Sequence, residues 1–88
     1  MKVRFFGSSS CEHCLKVFVL LNKLQIPYDY VDTDDMCDKI QDFCDYYNVD
    51  ELPHLQFLDD NDEILIEHVG AIDENEIFKY IIDYFPSY

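Results

Sequence analysis

The sequence predicts one α/β domain, residues 1–88, in which helices flank a four-stranded mixed sheet. The first observation is the order of its apolar patterns, which alternate between short runs and longer stretches with helical spacing and give β-α-β-α-β-β-α. The second is the polar connection at residues 59–62, Asp-Asp-Asn-Asp, which is typical of a hairpin between the last two strands. The third is the length, because 88 residues allow only one hydrophobic core.

The first strand and the first helix follow from the start of the chain. Residues 2–6 are mostly apolar and aromatic, which predicts a strand that ends at Gly7. Ser9 with Glu12 three residues later fits a capping box, so we expect a helix that starts near Cys11 and runs to about residue 25. Apolar residues at helical spacing form its buried face: Val17, Phe18, Leu20, Leu21 and Leu24.

A second strand and a second helix follow. Residues 28–31 predict the strand, and Asp32, Thr33 and Asp34 offer caps for a helix that runs to about residue 47. Since cysteine packs as a small hydrophobe, we expect Cys37 and Cys44 to be buried on or beside the apolar stripe of this helix. The stripe consists of Met36, Ile40, Phe43, Cys44 and Tyr47.

The last third of the chain predicts two strands and a helix. Residues 54–58 and 63–68 are the strands, and Gly70 marks the turn after them. Asp73 and Glu76 form another helix-starting box. The buried face of this third helix is expected from Ile77, Phe78, Ile81, Ile82 and Phe85.

The charge of the chain bounds its partners and its location. Nineteen acidic residues against six basic ones give a net charge of −13, which disfavours nucleic acid and anionic membrane surfaces and favours basic protein patches. No apolar run approaches the roughly 20 residues that span a bilayer, and the first residues are too short for a signal peptide. We therefore expect a cytoplasmic protein, and we expect it to be a monomer. In the cytoplasm, cysteines are more often redox-active, metal-binding or buried than paired in structural disulfides.

Cys11-Glu12-His13-Cys14 is the motif that carries chemistry. It places two thiols at the start of the first helix, where unpaired backbone N–H groups and the helix dipole favour an anion such as a thiolate. The thiolate is the form of cysteine that attacks disulfides. His13 favours the thiolate when it is protonated, and Glu12 opposes this. We expect a reduction potential of roughly −270 to −180 mV for the pair.

With this motif, Leu52-Pro53 before the third strand and Val69-Gly70-Ala71 before the last helix, the chain resembles the thioredoxin-fold redox proteins, and in size a glutaredoxin. The resemblance implies that Cys11 is the nucleophile and Cys14 the resolving thiol. It also implies that Pro53 is cis and packs beside the cysteine pair, and that the exposed backbone of Leu52 can pair with a substrate peptide as an added strand. Gly70 is expected to border the same site.

The resemblance leaves the electron donor open between glutathione and a thioredoxin-type reductase. Glutaredoxins usually carry a lysine for a glutathione carboxylate where this chain has Ser8. Thioredoxins usually carry a tryptophan where it has Ser10 and a buried aspartate where it has Phe5. Asp73, at a helix start, remains a candidate to receive a glutathione amine. Disulfide-containing proteins, ribonucleotide reductase among them, are the clients that the resemblance implies.

Two further interpretations stay open beside disulfide reduction. One is metal or iron–sulfur binding through Cys11 in a dimer, since one Cys-x-x-Cys pair supplies only two of four ligands. The other is a redox-inactive interaction module whose acidic surface is the functional feature. His54, directly after Pro53, is expected to be a polar rim residue of the site, with substrate contact or proton transfer as its alternative role.

Overall fold

A four-stranded sheet runs through the computed structural model, which describes residues 1–35 and 37–86. The strands and helices alternate in the predicted order, β-α-β-α-β-β-α. Their bounds are β1 Lys2–Gly7, α1 Glu12–Lys23, β2 Tyr28–Asp32, α2 Asp38–Tyr46, β3 His54–Leu58, β4 Ile64–Val69 and α3 Glu74–Tyr84. No helix in these described ranges is long and apolar enough to cross a membrane.

The strand order in the sheet is β2-β1-β3-β4. β1 and β2 are parallel, and α1 makes the crossover between them. β3 lies antiparallel to β1, and β4 returns antiparallel to β3 through the polar hairpin connection. The predicted α/β class with a mixed sheet is therefore confirmed.

The helices cover the two faces of the sheet unequally. α1 and α3 pack on one face, where the ring of Phe5 lies 4.8 Å from that of Phe18 and the ring of Phe57 lies 5.3 Å from that of Tyr80. α2 packs alone on the other face, where the Arg4 guanidinium lies over the Phe43 ring. Because side chains alternate along a strand, neighbouring residues of β1 and β3 contribute to opposite faces.

The hydrophobic core lies on the face covered by α1 and α3. Its buried residues come from β1, β3, these two helices and the residues that directly follow them: Val3, Phe5, Cys14, Val17, Leu21, Ile26, Leu55, Phe57, Ile77 and Phe85. No residue of α2 is fully buried. The stripe predicted for α2 is only half-buried at Ile40, Phe43, Cys44 and Tyr47, and Met36 lies outside the described residues.

The start of α2 corrects the sequence analysis. The helix begins at Asp38, after an extended Cys37 cap, and not at the predicted caps Asp32 to Asp34. Asp32 ends β2 and uses its carboxylate to accept a hydrogen bond from the Asp34 N–H at 3.0 Å, which closes a turn instead of a helix. Cys37 is consequently exposed, not buried as expected, while Cys44 is half-buried.

Candidate redox site

Several strand ends meet at one edge of the sheet, and they bring the predicted site residues together. Phe6 near the end of β1 pairs with His54, the first residue of β3, and His54 pairs with Val69 at the end of β4. The loop that leads to Cys11 therefore leaves the sheet at the edge where Pro53 enters β3. The same edge carries Gly70, whose N–H donates a 2.8 Å hydrogen bond to the Pro53 carbonyl.

Cys11 itself caps helix α1. Its backbone is extended, with φ −94° and ψ 114°, and its Sγ accepts a hydrogen bond from the Cys14 N–H at 3.3 Å. A free helix N–H at this distance stabilises negative charge on the sulfur. The predicted capping box of Ser9 and Glu12 is wrong, because Ser9 is bound elsewhere and the cysteine sulfur occupies the capping place. Cys11 is half-buried, so its sulfur borders both the core and the surface.

Cys14 lies behind Cys11 in the core and is fully buried. Gly7 leaves the space that its sulfur fills. A Cβ atom at Gly7 would lie 3.2 Å from Cys14 Sγ, 2.9 Å from the Phe5 ring and 3.1 Å from the Tyr30 ring. Any larger residue at position 7 would thus displace the second thiol or the aromatic rings around it.

Burial is the main cause that raises the pKa of the Cys14 thiol, from 9.0 to about 11. The hydrogen bond with the Cys11 side chain raises it further, and the negative charge of Asp34 adds a smaller increase. A backbone hydrogen bond from Ser8 acts in the opposite direction. Cys14 is therefore a neutral thiol at physiological pH, next to a Cys11 sulfur that receives its backbone N–H.

A second set of functional candidates, which the sequence analysis missed, precedes the cysteines. The Ser8 hydroxyl is buried and lies 2.9 Å from each carboxylate oxygen of Asp34, and Ser9 donates both its N–H and its hydroxyl to the same carboxylate. The sequence analysis had interpreted Asp34 only as a helix cap and Ser8 only as a missing lysine. The run of serines directly before the motif, at positions 8–10, was the signal available in the sequence.

Leu52 and Pro53 directly precede β3 at this edge. Their peptide bond is cis, as the resemblance implied, and Pro53 is buried. The hydrogen bonds among residues 1–35 and 37–86 include none to the backbone of half-buried Leu52. Gly70 has φ +93°, which glycine adopts without strain, and this conformation directs its N–H to Pro53.

His54 is not the exposed rim residue that was expected. It is 4% exposed, its Nε2 lies 2.6 Å from Glu67 Oε2, and its ring packs edge-on against Phe6. The ladder explains this, because the first residue of β3 sits between β1 and β4 and projects toward the face of α2. Cys14 projects from the other face, where Phe5 and Tyr30 lie, so His54 is separated from the buried thiol by the sheet.

His13 and Asp73 lie at two helix starts. His13 is exposed in the first turn of α1. Asp73 caps α3 by accepting a hydrogen bond from the Glu76 N–H at 2.8 Å, as the predicted box requires. Within the described residues, no group of three or more His, Cys, Asp or Glu side chains is arranged to hold a metal ion.

Comparison with known proteins identifies the fold of the chain. No protein-family model and no curated protein matches the sequence. Among solved structures, thioredoxin 1 from the thermophilic eubacterium Thermosipho africanus matches with a TM-score of 0.71 and 17% identity, over 98% of this chain and 96% of that one. The chain has the thioredoxin fold.

Two further structures support the same assignment of the fold. Thioredoxin-2 of the malaria parasite, described as a component of its protein secretion machinery, matches with a TM-score of 0.79 and 21% identity, over 94% of this chain and 82% of that one. A mutant thioredoxin from Halobacterium salinarum matches with a TM-score of 0.77 and 23% identity, over 94% of this chain and 73% of that one. The thioredoxin fold is thus confirmed, and the glutaredoxin-like character inferred from size stays a prediction.

Proposed function

We propose that the chain is a dithiol–disulfide oxidoreductase that reduces protein disulfides through Cys11 and Cys14. The observation that carries the proposal is the unequal placement of the two thiols on one helix start. Cys11 is half-buried and receives the N–H of Cys14, while Cys14 is fully buried directly behind it. One sulfur is placed to meet a substrate, and the other is placed to meet only the first.

In the first step, the Cys11 thiolate attacks one sulfur of the substrate disulfide. The substrate S–S bond breaks, a Cys11–substrate mixed disulfide forms, and the released substrate thiolate takes a proton from water. The Cys14 N–H remains at the sulfur of Cys11 and helps to orient it. Backbone groups of Leu52 that lack partners in the described chain are suited to hold an extended substrate segment beside the attacked bond.

In the second step, Cys14 gives its proton to water and its thiolate attacks the Cys11 sulfur. The Cys11–substrate S–S bond breaks, the Cys11–Cys14 disulfide forms, and the leaving substrate thiolate takes a proton from water, so the substrate gains two electrons and two protons in all. Two of the causes that raise the pKa of Cys14 come from Cys11 itself, its hydrogen bond and its charge. Both are weakened once Cys11 is bound to the substrate, which favours ionisation of Cys14 at the stage that requires it.

The electron donor that we propose is a thioredoxin-type reductase. Ser8 stands where the glutaredoxin resemblance expects a lysine for a glutathione carboxylate, and its hydroxyl is bound to the carboxylate of Asp34. An anion at this place and a net charge of −13 both oppose an anionic tripeptide. The same charge favours clients with a basic surface around their disulfide, and ribonucleotide reductase remains a client suggested by resemblance alone.

The other interpretations have less support. Metal binding through Cys11 in a dimer stays a prediction from the motif. An interaction module without redox chemistry would not require one thiol to be buried behind the other. His13, in the first turn of α1, remains our proposed substrate contact and modulator of the potential.

Replacement of Cys11 by serine tests the function. Reduction of insulin disulfides by the reduced protein should be lost in Cys11→Ser, because Cys14, the other thiol at the start of α1, is fully buried and cannot meet a substrate. Cys37→Ser is the matched control, since Cys37 is exposed and lies outside the site, and it should keep full activity. Retained activity in Cys11→Ser would refute the mechanism.

The donor is tested on the oxidised protein. Its reduction should be fast with a thioredoxin reductase and NADPH, and slow with glutathione, glutathione reductase and NADPH. Faster reduction of the unmodified protein by glutathione would reverse the assignment of the donor.

A further inference from the structure

We propose that Asp34 is a positioning residue of the redox pair, which fixes the segment between β1 and α1 through Ser8 and Ser9. The inference rests on the proposed function for its meaning. It adds a residue from another loop, 26 positions away from Ser8 in the chain, to the two cysteines and the proline of the site.

We call the hydrogen-bonded group of Ser8, Ser9 and Asp34 the clamp. The Ser8 hydroxyl has one proton, which it donates to the carboxylate of Asp34, and it is close to Ser10 as well, with 2.9 Å between the two hydroxyl oxygens. Ser9 adds an N–H at 3.2 Å and a hydroxyl at 3.1 Å. Hydrogen bonds from Ser8, then from Ser9, lower the pKa of Asp34, so the carboxylate is charged and the clamp is closed at neutral pH.

The clamp reaches both thiols through the backbone of Ser8. The Ser8 carbonyl accepts the N–H of Cys11 at 3.2 Å, which sets where the capping cysteine begins the helix. The backbone of Ser8 also makes a hydrogen bond that lowers the pKa of Cys14, whereas burial and the Cys11 side chain raise it. Ser8 is buried, and loss of the Asp34 carboxylate removes the contacts that join its hydroxyl to the loop after β2.

The charge of Asp34 acts in addition to its hydrogen bonds. It disfavours the thiolate of Cys14 and the phenolate of Tyr30, which lies against the same thiol. Asp32 at the end of β2 and the Cys11 sulfur are the other titratable groups that act on Tyr30 in this environment. Asp34 thus combines a mechanical effect on the Cys11 turn with an electrostatic effect on the resolving thiol.

The test compares Asp34→Asn with Asp35→Asn. Both variants remove one negative charge from the same loop, but Asp35 contacts the Cys37 N–H and makes none of the serine contacts. The readouts are the titration of thiolate absorbance at 240 nm, the rate of Cys11 alkylation by iodoacetamide, and the release of thiol from a preformed mixed disulfide on Cys11. The first two readouts do not require the proposed reductase activity, so they distinguish a failure of the Asp34 proposal from a failure of the proposed function.

We expect Asp34→Asn to lower the pH midpoint at which the Cys14 thiolate forms, and Asp35→Asn to leave this midpoint nearly unchanged. Asp34→Ala should slow thiol release from the mixed disulfide on the order of tenfold, because Cys14 and Cys11 lose their alignment. Ser8→Ala should slow it as well, and the double variant Ser8→Ala/Asp34→Ala should be no slower than Asp34→Ala, since both act through one contact. Equal behaviour of the Asn variants, or additive effects in the Ala pair, would overturn the proposal.

Discussion

On the face that packs against α1 and α3, the sheet presents Val3, Phe5 and Phe57, all fully buried. On the face that packs against α2, the same strands present Arg4 and Gln56. Arg4 Nη1 donates to Gln56 Oε1 at 2.9 Å, and the guanidinium lies 5.3 Å from the centre of the Tyr47 ring. One face is closed by apolar contact alone, and the other combines this polar network with the buried Phe6 and the half-buried aromatic rings of α2 and its C-terminal end.

The difference agrees with the roles that we propose for the two cysteines. The resolving role proposed for Cys14 requires a thiol that is held in one position and kept from water, and the close-packed face provides both. The face of α2 contains the buried His54, paired with the exposed Glu67, and a Gln56 Nε2 atom for which the described residues offer no hydrogen-bond partner. We infer that the core face carries most of the stability, and that α2 is attached more weakly.

The largest effect is expected from a matched pair of phenylalanine replacements. Phe57→Ala on the core face should lower the free energy of unfolding by about 3 to 5 kcal/mol, because it empties a fully buried site. Phe43→Ala on α2 should cost roughly 1 kcal/mol, since its ring is half-buried and can be replaced by water. Urea unfolding of the reduced proteins measures both. Equal losses would mean that the two faces contribute equally.

Much of the core face was predictable from the sequence. The spacing of Val17, Leu20 and Leu21 identified α1, and the apolar runs identified β1 and β3, because these contacts repeat with the period of one element. Cys11 and Cys14 were identified for the same reason, since their chemistry depends on local spacing at a helix start.

The contacts that could not be predicted from the sequence join segments that are far apart in the chain. Asp34 has the composition of a helix cap, and only the fold brings it to Ser8. His54 was expected at the rim of the site because it directly follows Pro53, but the ladder buries it beside Glu67, a residue 13 positions later. The late start of α2 has the same origin, because the preceding aspartates are used by a turn and by the clamp.

A second prediction concerns the ionisation of the Cys14 thiol, which burial on the core face disfavours. Its pKa is raised from 9.0 to about 11, mainly by burial, so the folded state holds this proton more tightly than the unfolded state. The stabilising effect is complete below pH about 9 and is lost as the pH rises to about 11. At about 1.4 kcal/mol per pKa unit, the reduced protein should lose on the order of 2 to 3 kcal/mol across this window.

Cys14→Ala isolates that loss, because it removes the thiol and keeps the other groups that titrate at high pH. The difference in unfolding free energy between the reduced protein and Cys14→Ala should shrink between pH 9 and pH 11. Cys37→Ala, which removes an exposed thiol, should run parallel to the unmodified protein. A constant difference for Cys14→Ala would show that the buried thiol ionises without cost.

The smallest effect concerns the polar network of the other face. Arg4→Met should destabilise the protein by about 1 to 3 kcal/mol, because it leaves the fully buried Gln56 amide with neither of its polar atoms paired. Adding Gln56→Leu should restore most of this loss, since the double variant replaces both polar partners by apolar groups of similar size. Chemical unfolding of the two single variants and the double variant gives the coupling energy. If the double variant is as unstable as the sum of the single ones, the amide is not the source of the cost, and the weak attachment of α2 has to come from its half-buried rings alone.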